Sequence, residues 1–145
     1  MVAAALLLAC CFAGSCKKDD PVQDPPFPSS RLSATVDGHS FLSTDLSAVL
    51  SGTWVSILGK LNAGNSKESA ITLTMPHFNG LGTYPIDSAN KGSYTEVGGS
   101  YHAQSGNIIV TTDNSVHIVG KFSFEAAAGN GSSKAVTNGS FDFYK

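Results

Sequence analysis

Apolar and polar residues alternate with a period of two along most of the chain after residue 30. Over residues 116–125 one face reads Val116, Ile118, Gly120, Phe122 and Phe124, and the other His117, Val119, Lys121, Ser123 and Glu125. Successive side chains of a strand point to opposite faces, so this is the pattern of a half-buried β-strand. Ile71, Leu73 and Met75 alternate with Thr72 and Thr74 in the same way. Val55, Ile57 and Leu61 share a face of residues 53–61, with Gly59 read as a bulge.

Turn signals stand between these runs: Asp37-Gly38, Ser51-Gly52, Asn62 to Asn65, Asn79-Gly80, Ser105 to Asn107 and Asp113-Asn114. Asp-Gly and Asn-Gly tolerate the positive φ of tight hairpins. Residues 32–36 and 41–42 around Asp37-Gly38 predict a first hairpin, and residues 108–112 with 116–125 another. Helical periodicity is absent over any dozen residues, and residues 44–50 have room for one helical turn at most. Gly120-Lys121-Phe122-Ser123-Phe124 is echoed by Gly139-Ser140-Phe141-Asp142-Phe143. Each copy sets two phenylalanines on one face behind a glycine, so a terminal hairpin carrying four rings into the core is expected, with residues 126–135 as its linker. Eight or so short strands at hairpin spacing predict an all-β domain, an antiparallel β-sandwich or alternatively a small β-barrel, over residues 31–145.

The first thirty residues differ in kind. Residues 2–14 carry no charge and are rich in Ala, Leu and Cys. As a helix they reach only about 20 Å, short of the roughly 30 Å hydrocarbon core of a bilayer. A secretory signal over residues 1–15 fits better than a span. Phe12-Ala13-Gly14-Ser15-Cys16 resembles a lipobox, in which small residues precede a cysteine that becomes the acylated first residue. Ala13 departs from the usual Leu, and no Lys or Arg stands near Met1. Cys10 and Cys11 are rival acceptors, but cutting there leaves too short an apolar region and a hydrophobic new N-terminus. Cys16 is therefore the expected lipidation site.

Lys17, Lys18, Asp19 and Asp20 follow, and resemble the charged export signal after the lipid cysteine in surface lipoproteins of the Bacteroidetes. Residues 16–30 read as a tether, with four prolines in residues 21–30 favouring extended polyproline II. All three cysteines lie at or before Cys16, so the domain behind the tether has none for a disulfide or a metal.

Composition narrows the function classes. Charged residues make up only 14% of the chain and the formal net charge is −2, with no basic stripe, which argues against a nucleic-acid partner. His39, His77, His102 and His117 lack metal-ligand spacing, although strands flanking a turn at residues 105–107 offer a means of bringing His102 and His117 together. No Gly-x-Ser-x-Gly elbow or phosphate loop is present, and nothing marks a facing pair of carboxylates. No catalytic residue, metal or cofactor is expected, and the chain is read as a non-enzyme; a hydrolase with an unmarked site is the alternative.

Trp54 falls on the face opposite Val55 and Ile57, where with Tyr84, Tyr94 or Tyr101 it is a candidate for stacking on sugar rings. The competing reading has it cap the end of the second face or lie under a loop. Asp87-Ser88-Ala89 resembles the short motif for protein O-glycosylation in Bacteroidetes, which makes Ser88 a candidate acceptor.

The lipoprotein signal, the start LSATVDGHSF, the middle GTYPI, the run GNIIVTT and the close VGKFSFEA…VTNGSFDF together resemble a group of small uncharacterised Bacteroidetes envelope lipoproteins. The resemblance implies a β-sandwich-like domain anchored at the outer membrane, on the cell surface, and carries no catalytic residues. The expected function is a binding or adhesion module for glycan or another envelope protein, with an accessory subunit of an outer-membrane complex as the alternative.

Overall fold

The computed structural model describes residues 30–145. Cys16, Lys17, Lys18, Asp19 and Asp20, and with them the signal and nearly all of the tether, lie outside the described residues.

Ten strands follow one another: β1 Arg31–Val36, β2 His39–Leu42, β3 Asp45–Ser51, β4 Trp54–Leu61, β5 Ser69–Met75, β6 Gly82–Pro85, β7 Lys91–Glu96, β8 Gly99–Asp113, β9 His117–Ala127 and β10 Ser133–Tyr144. Every pairing is antiparallel, in the order β2-β1-β10-β9-β8-β7-β5-β4-β3, with β6 also on β8. β6 and β7 flank the same side of β8: Tyr84 pairs with Ile108 and Tyr94 with Tyr101. They act as one interrupted strand from which residues 87–90 loop outward.

The sheet curls until its two ends touch at one corner. After β2 the chain crosses at Ser43 and Thr44, where Ser43 N donates to Leu32 O and Thr44 N to Lys60 O, both at 2.8 Å. Ser43 Oγ also accepts from Leu32 N at 2.9 Å. The all-β antiparallel class is as expected. Its form is a single curled sheet, a half-barrel that shares features with both the sandwich and the small barrel.

The alternating pattern explains where the core lies. Leu32, Val55, Ile57, Ile71, Leu73, Met75, Ile108 and Ile118 are fully buried inside the curl. Phe122, Phe124, Phe141 and Phe143 are buried as well, each ring contributing on the order of 1.5–3 kcal/mol. The expected terminal hairpin is therefore present, with β10 in the middle of the sheet between β9 and β1. The first hairpin turns at Asp37 and Gly38, with φ of +48° and +81°, the both-positive geometry that matches the twist of the flanking strands.

Four local expectations are corrected. Residues 44–50 hold no helical turn; they belong mostly to β3, whose Leu46 and Ala48 pack against the core. Gly59 makes no bulge: β4 pairs in unbroken register on both sides. A Cβ there would lie 3.1 Å from Leu32 Cβ and 3.2 Å from Ser43 Cβ, so this glycine lets the two edges close. Ser105 to Asn107 is not a turn but the interior of β8, next to a register shift between Ala103 and Ser105. Gly106, at φ +137°, lies so close to Ser123 and Phe124 that β9 leaves no room for a side chain; its signal was that of a bend inside a strand. The linker read as residues 126–135 shrinks to 128–132, because pairing runs on to Ala127 and Ser133.

Candidate functional site

The strand ends form two rims. At one rim lie the β1–β2 turn, the start of β10 and the β7–β8 turn, and between them a cleft of about 400 Å³ is lined by Asp37, Glu96, Lys134, Tyr94 and His39 over Phe41. Asp37 is placed by its turn and by β10: its N donates to Ala135 O at 3.0 Å, and its carboxylate accepts from Ala135 N at 2.9 Å. Lys134 therefore emerges beside it. Lys134 Nζ lies 3.3 Å from Asp37 Oδ2 and 3.1 Å from Glu96 Oε1.

Glu96 ends β7, two residues after Tyr94 on the same face, and the Val97-Gly98 turn returns Tyr101 opposite Tyr94. Tyr94 Oη donates to Glu96 Oε2 at 3.1 Å and Tyr101 Oη to Oε1 at 3.3 Å. The two rings are tilted with centroids 6.1 Å apart. The Lys134 ammonium sits 5.5 Å from the Tyr101 centroid and 6.0 Å from that of Tyr94, within reach of their π-faces.

The electrostatics follow from this geometry. The backbone amide of Ala135, with help from Lys134, holds the Asp37 carboxyl below its ordinary value. Burial works to raise Glu96, but hydrogen bonds from Lys134 and Tyr94 and the lysine charge outweigh it and hold it low. Lys134 is raised, chiefly by its bond to Glu96. Burial and the bond to Glu96 raise the Tyr94 hydroxyl. Two carboxylates converge in a cleft, the arrangement that a hydrolase needs, but both are spent on one ammonium. Both carboxyls are held low, and His39 lines the same cleft with its Nδ1 3.1 Å from Asp37 O.

The other candidates are scattered. Trp54 stands on the outer face and is 46% exposed, so it is not covered by a loop. Tyr94 and Tyr101 are buried at the cleft rim, and Tyr84 is stacked on Phe78 with its hydroxyl bonded to Gly80 O; among the described residues no shelf of exposed aromatics forms around Trp54. Ser88 is exposed in the loop between β6 and β7, where Asp87 Oδ1 accepts from Ala89 N and Asn90 N at 2.7 and 2.8 Å.

The histidines do not converge. His102 pairs with Ala127 on β9 while Asp113 pairs with Ile118, so ten residues of β8 separate His102 from the His117 end. His117 Nδ1 instead lies 3.2 Å from Asp142 Oδ1, and His39 Nδ1 3.1 Å from Asp37 O. Among the described residues no three His, Cys, Asp or Glu side chains group as metal ligands, and no helix is long and apolar enough to cross a membrane.

Residues 29–143 match the family described as a domain of unknown function, DUF6252. The chain belongs to this family. The match starts just before β1 and ends one residue short of the end of β10, so the DUF6252 domain and the half-barrel are the same unit. Comparison with curated proteins and with solved structures gives no match.

Sequence reading missed the cleft. Asp37 registered only as a turn residue and Lys134 as part of a linker. The available signal was the Tyr94-x-Glu96 spacing before Val97-Gly98-Gly99-Ser100-Tyr101, which puts two tyrosines and a carboxylate on one face of a hairpin.

Proposed function

We propose that this DUF6252 protein is an outer-membrane lipoprotein of Bacteroidetes type, acylated at Cys16 and displayed at the cell surface. Its domain acts as a non-enzymatic binding or adhesion module. The export signal reading of residues 1–20 supports the anchoring, and the family supports a domain without an assigned activity.

One observation carries the binding reading. Ser30, where the tether enters the domain, is bonded through Oγ to Tyr144 N at the rim opposite the cleft. A domain tethered there holds the Asp37–Lys134–Glu96 cleft away from its membrane and open to partners outside. The cleft offers a fixed cation between two anions over an apolar floor, which suits a polar, hydroxyl-bearing ligand such as a glycan of the envelope or its surroundings. Trp54 is then not the ligand shelf. Ser88, exposed on the flank, is free to carry a glycan of the protein's own.

The test is binding of envelope glycans and glycopeptides to the lipidated protein, compared with Lys134→Met, Glu96→Gln and Trp54→Ala. The expected outcome is at least tenfold weaker binding for the two cleft variants and unchanged binding for Trp54→Ala. Binding indifferent to the cleft variants, or turnover of the bound compound, overturns the reading.

A further inference from the structure

Among the described residues eight large apolar side chains are exposed, and those at strand ends and turns are unevenly shared between the rims. The cleft rim has Val97 alone; the opposite rim has Trp54 and Leu50 flanking the β3–β4 turn, Leu81 on the β5–β6 loop and Val116 on the β8–β9 turn. Isolated exposed apolar residues need no explanation, but these sit on one connected rim. Phe78 N donates to Thr53 O, which joins the first two loops. Gly80 lies against Asp113, Asp113 pairs with Lys145 at 2.6 Å, and Lys145 N donates to Val116 O. Tyr144 next to it holds Ser30. Lys145 faces Asp113 and His117 faces Asp142, and the apolar tips stand among the exposed polar side chains of Arg31, His77, Asn79 and Asn114.

We propose that this rim rests in the interfacial layer of the bilayer that carries the lipid anchor, with Trp54, Leu81 and Val116 among the headgroups and upper acyl chains. The proposal rests on the lipoprotein reading above. The chain outside the structure ends at Ser30, on this rim and not the other. From Cys16 to Ser30 the chain spans at most roughly 50 Å, so a lipid on Cys16 keeps the rim within that reach of the bilayer and makes its docking intramolecular. A few apolar tips therefore suffice where they would not hold a free protein. Tryptophan suits such a site, because its amphipathic ring is favoured at headgroup depth.

Trp54 is the sole tryptophan of the chain, so its emission reports on this rim alone. Lipidated protein purified from membranes is reconstituted into phosphatidylcholine vesicles with and without lipids brominated near the headgroup. The expected result is a shift of emission to shorter wavelength and at least twofold quenching by the brominated lipid, both reduced in the Leu81→Ser/Val116→Ser variant. Vesicle flotation with unshifted, unquenched emission leaves the anchor standing and overturns the docking. A shifted but unquenched emission with a doubled mass means that a second copy covers the rim, which also overturns it. Failure to float with the vesicles overturns the anchor and the docking together.

Discussion

The ring of Phe141 occupies the space that a side chain at Gly120 would need. The two residues are directly paired across β9 and β10, and two pairs along, Gly139 faces Phe122 in the reciprocal arrangement. A Cβ at Gly120 would fall on the Phe141 ring and within 2.5 Å of Ile109 O; one at Gly139 would lie 2.6 Å from Phe122 Cδ2 and 2.5 Å from Phe122 O. The echo of Gly-x-Phe-x-Phe is therefore a packing device in which each glycine seats the ring of the opposite copy.

Substituting either glycine by alanine forces a ring and a carbonyl to move together. Gly120→Ala and Gly139→Ala are each expected to cost about 3 kcal/mol, the upper end of overpacking penalties. Urea denaturation measures this. Gly120→Ala with Phe141→Leu is expected to cost less than the sum of the two single changes, since the smaller side chain relieves part of the clash.

The cleft network gives a pH signature. Asp37 and Glu96 are held below their ordinary values of 3.8 and 4.5. Their contribution is full above those values and is lost as pH falls through the lower folded values. Lys134 is raised above 10.5, so its contribution is full below that value and is lost as pH rises through the folded one. The groups remain partly exposed, with side chains 22% to 41% accessible, so screening keeps the network near 1 kcal/mol, the ceiling for exposed pairs. Lys134→Met is expected to cost about that much at pH 7. The gap to the wild type closes both toward pH 3 and above pH 11, as thermal melts across the range will show.

The corner that joins the sheet edges depends on one hydroxyl. Leu32 is fully buried and its amide donates to Ser43 Oγ. Ser43→Ala leaves that donor without its partner and is expected to cost about 1–2 kcal/mol. Hydrogen exchange at Leu32 N is expected to quicken before that of the β9–β10 core.

Trp54, by contrast, carries little of the fold. Trp54→Ser is expected to change stability by no more than about 0.5 kcal/mol, as for an ordinary surface site. A larger loss in chemical denaturation indicates that the indole packs on the outer face more than its exposure suggests.

The period of two located most strands because one face of each meets a single core, so burial wrote itself into the alternation. It identified the four phenylalanines on that ground, while the Asp37-Gly38 hairpin was legible from its turn residues. It failed where glycine has two meanings: Gly106 and Gly59 permit close approach, not turns or bulges, and only the neighbouring strand reveals which. It failed at residues 44–50 because β3 is an edge strand with little inward demand, so its alternation is faint. The cleft was illegible for a different reason. Asp37, Glu96 and Lys134 are far apart in sequence and meet only because β10 runs between β1 and β9 while β7 comes round through β8.

Anchoring at Cys16 is the claim on which the orientation, the outward cleft and the docked rim all depend. Growth with a labelled fatty acid, followed by isolation of the protein and sequencing of its N-terminal peptide, tests it most directly. The label is expected on a mature chain that begins at Cys16 and not on the Cys16→Ala variant. A mature protein without acyl label, or one that starts elsewhere, contradicts it.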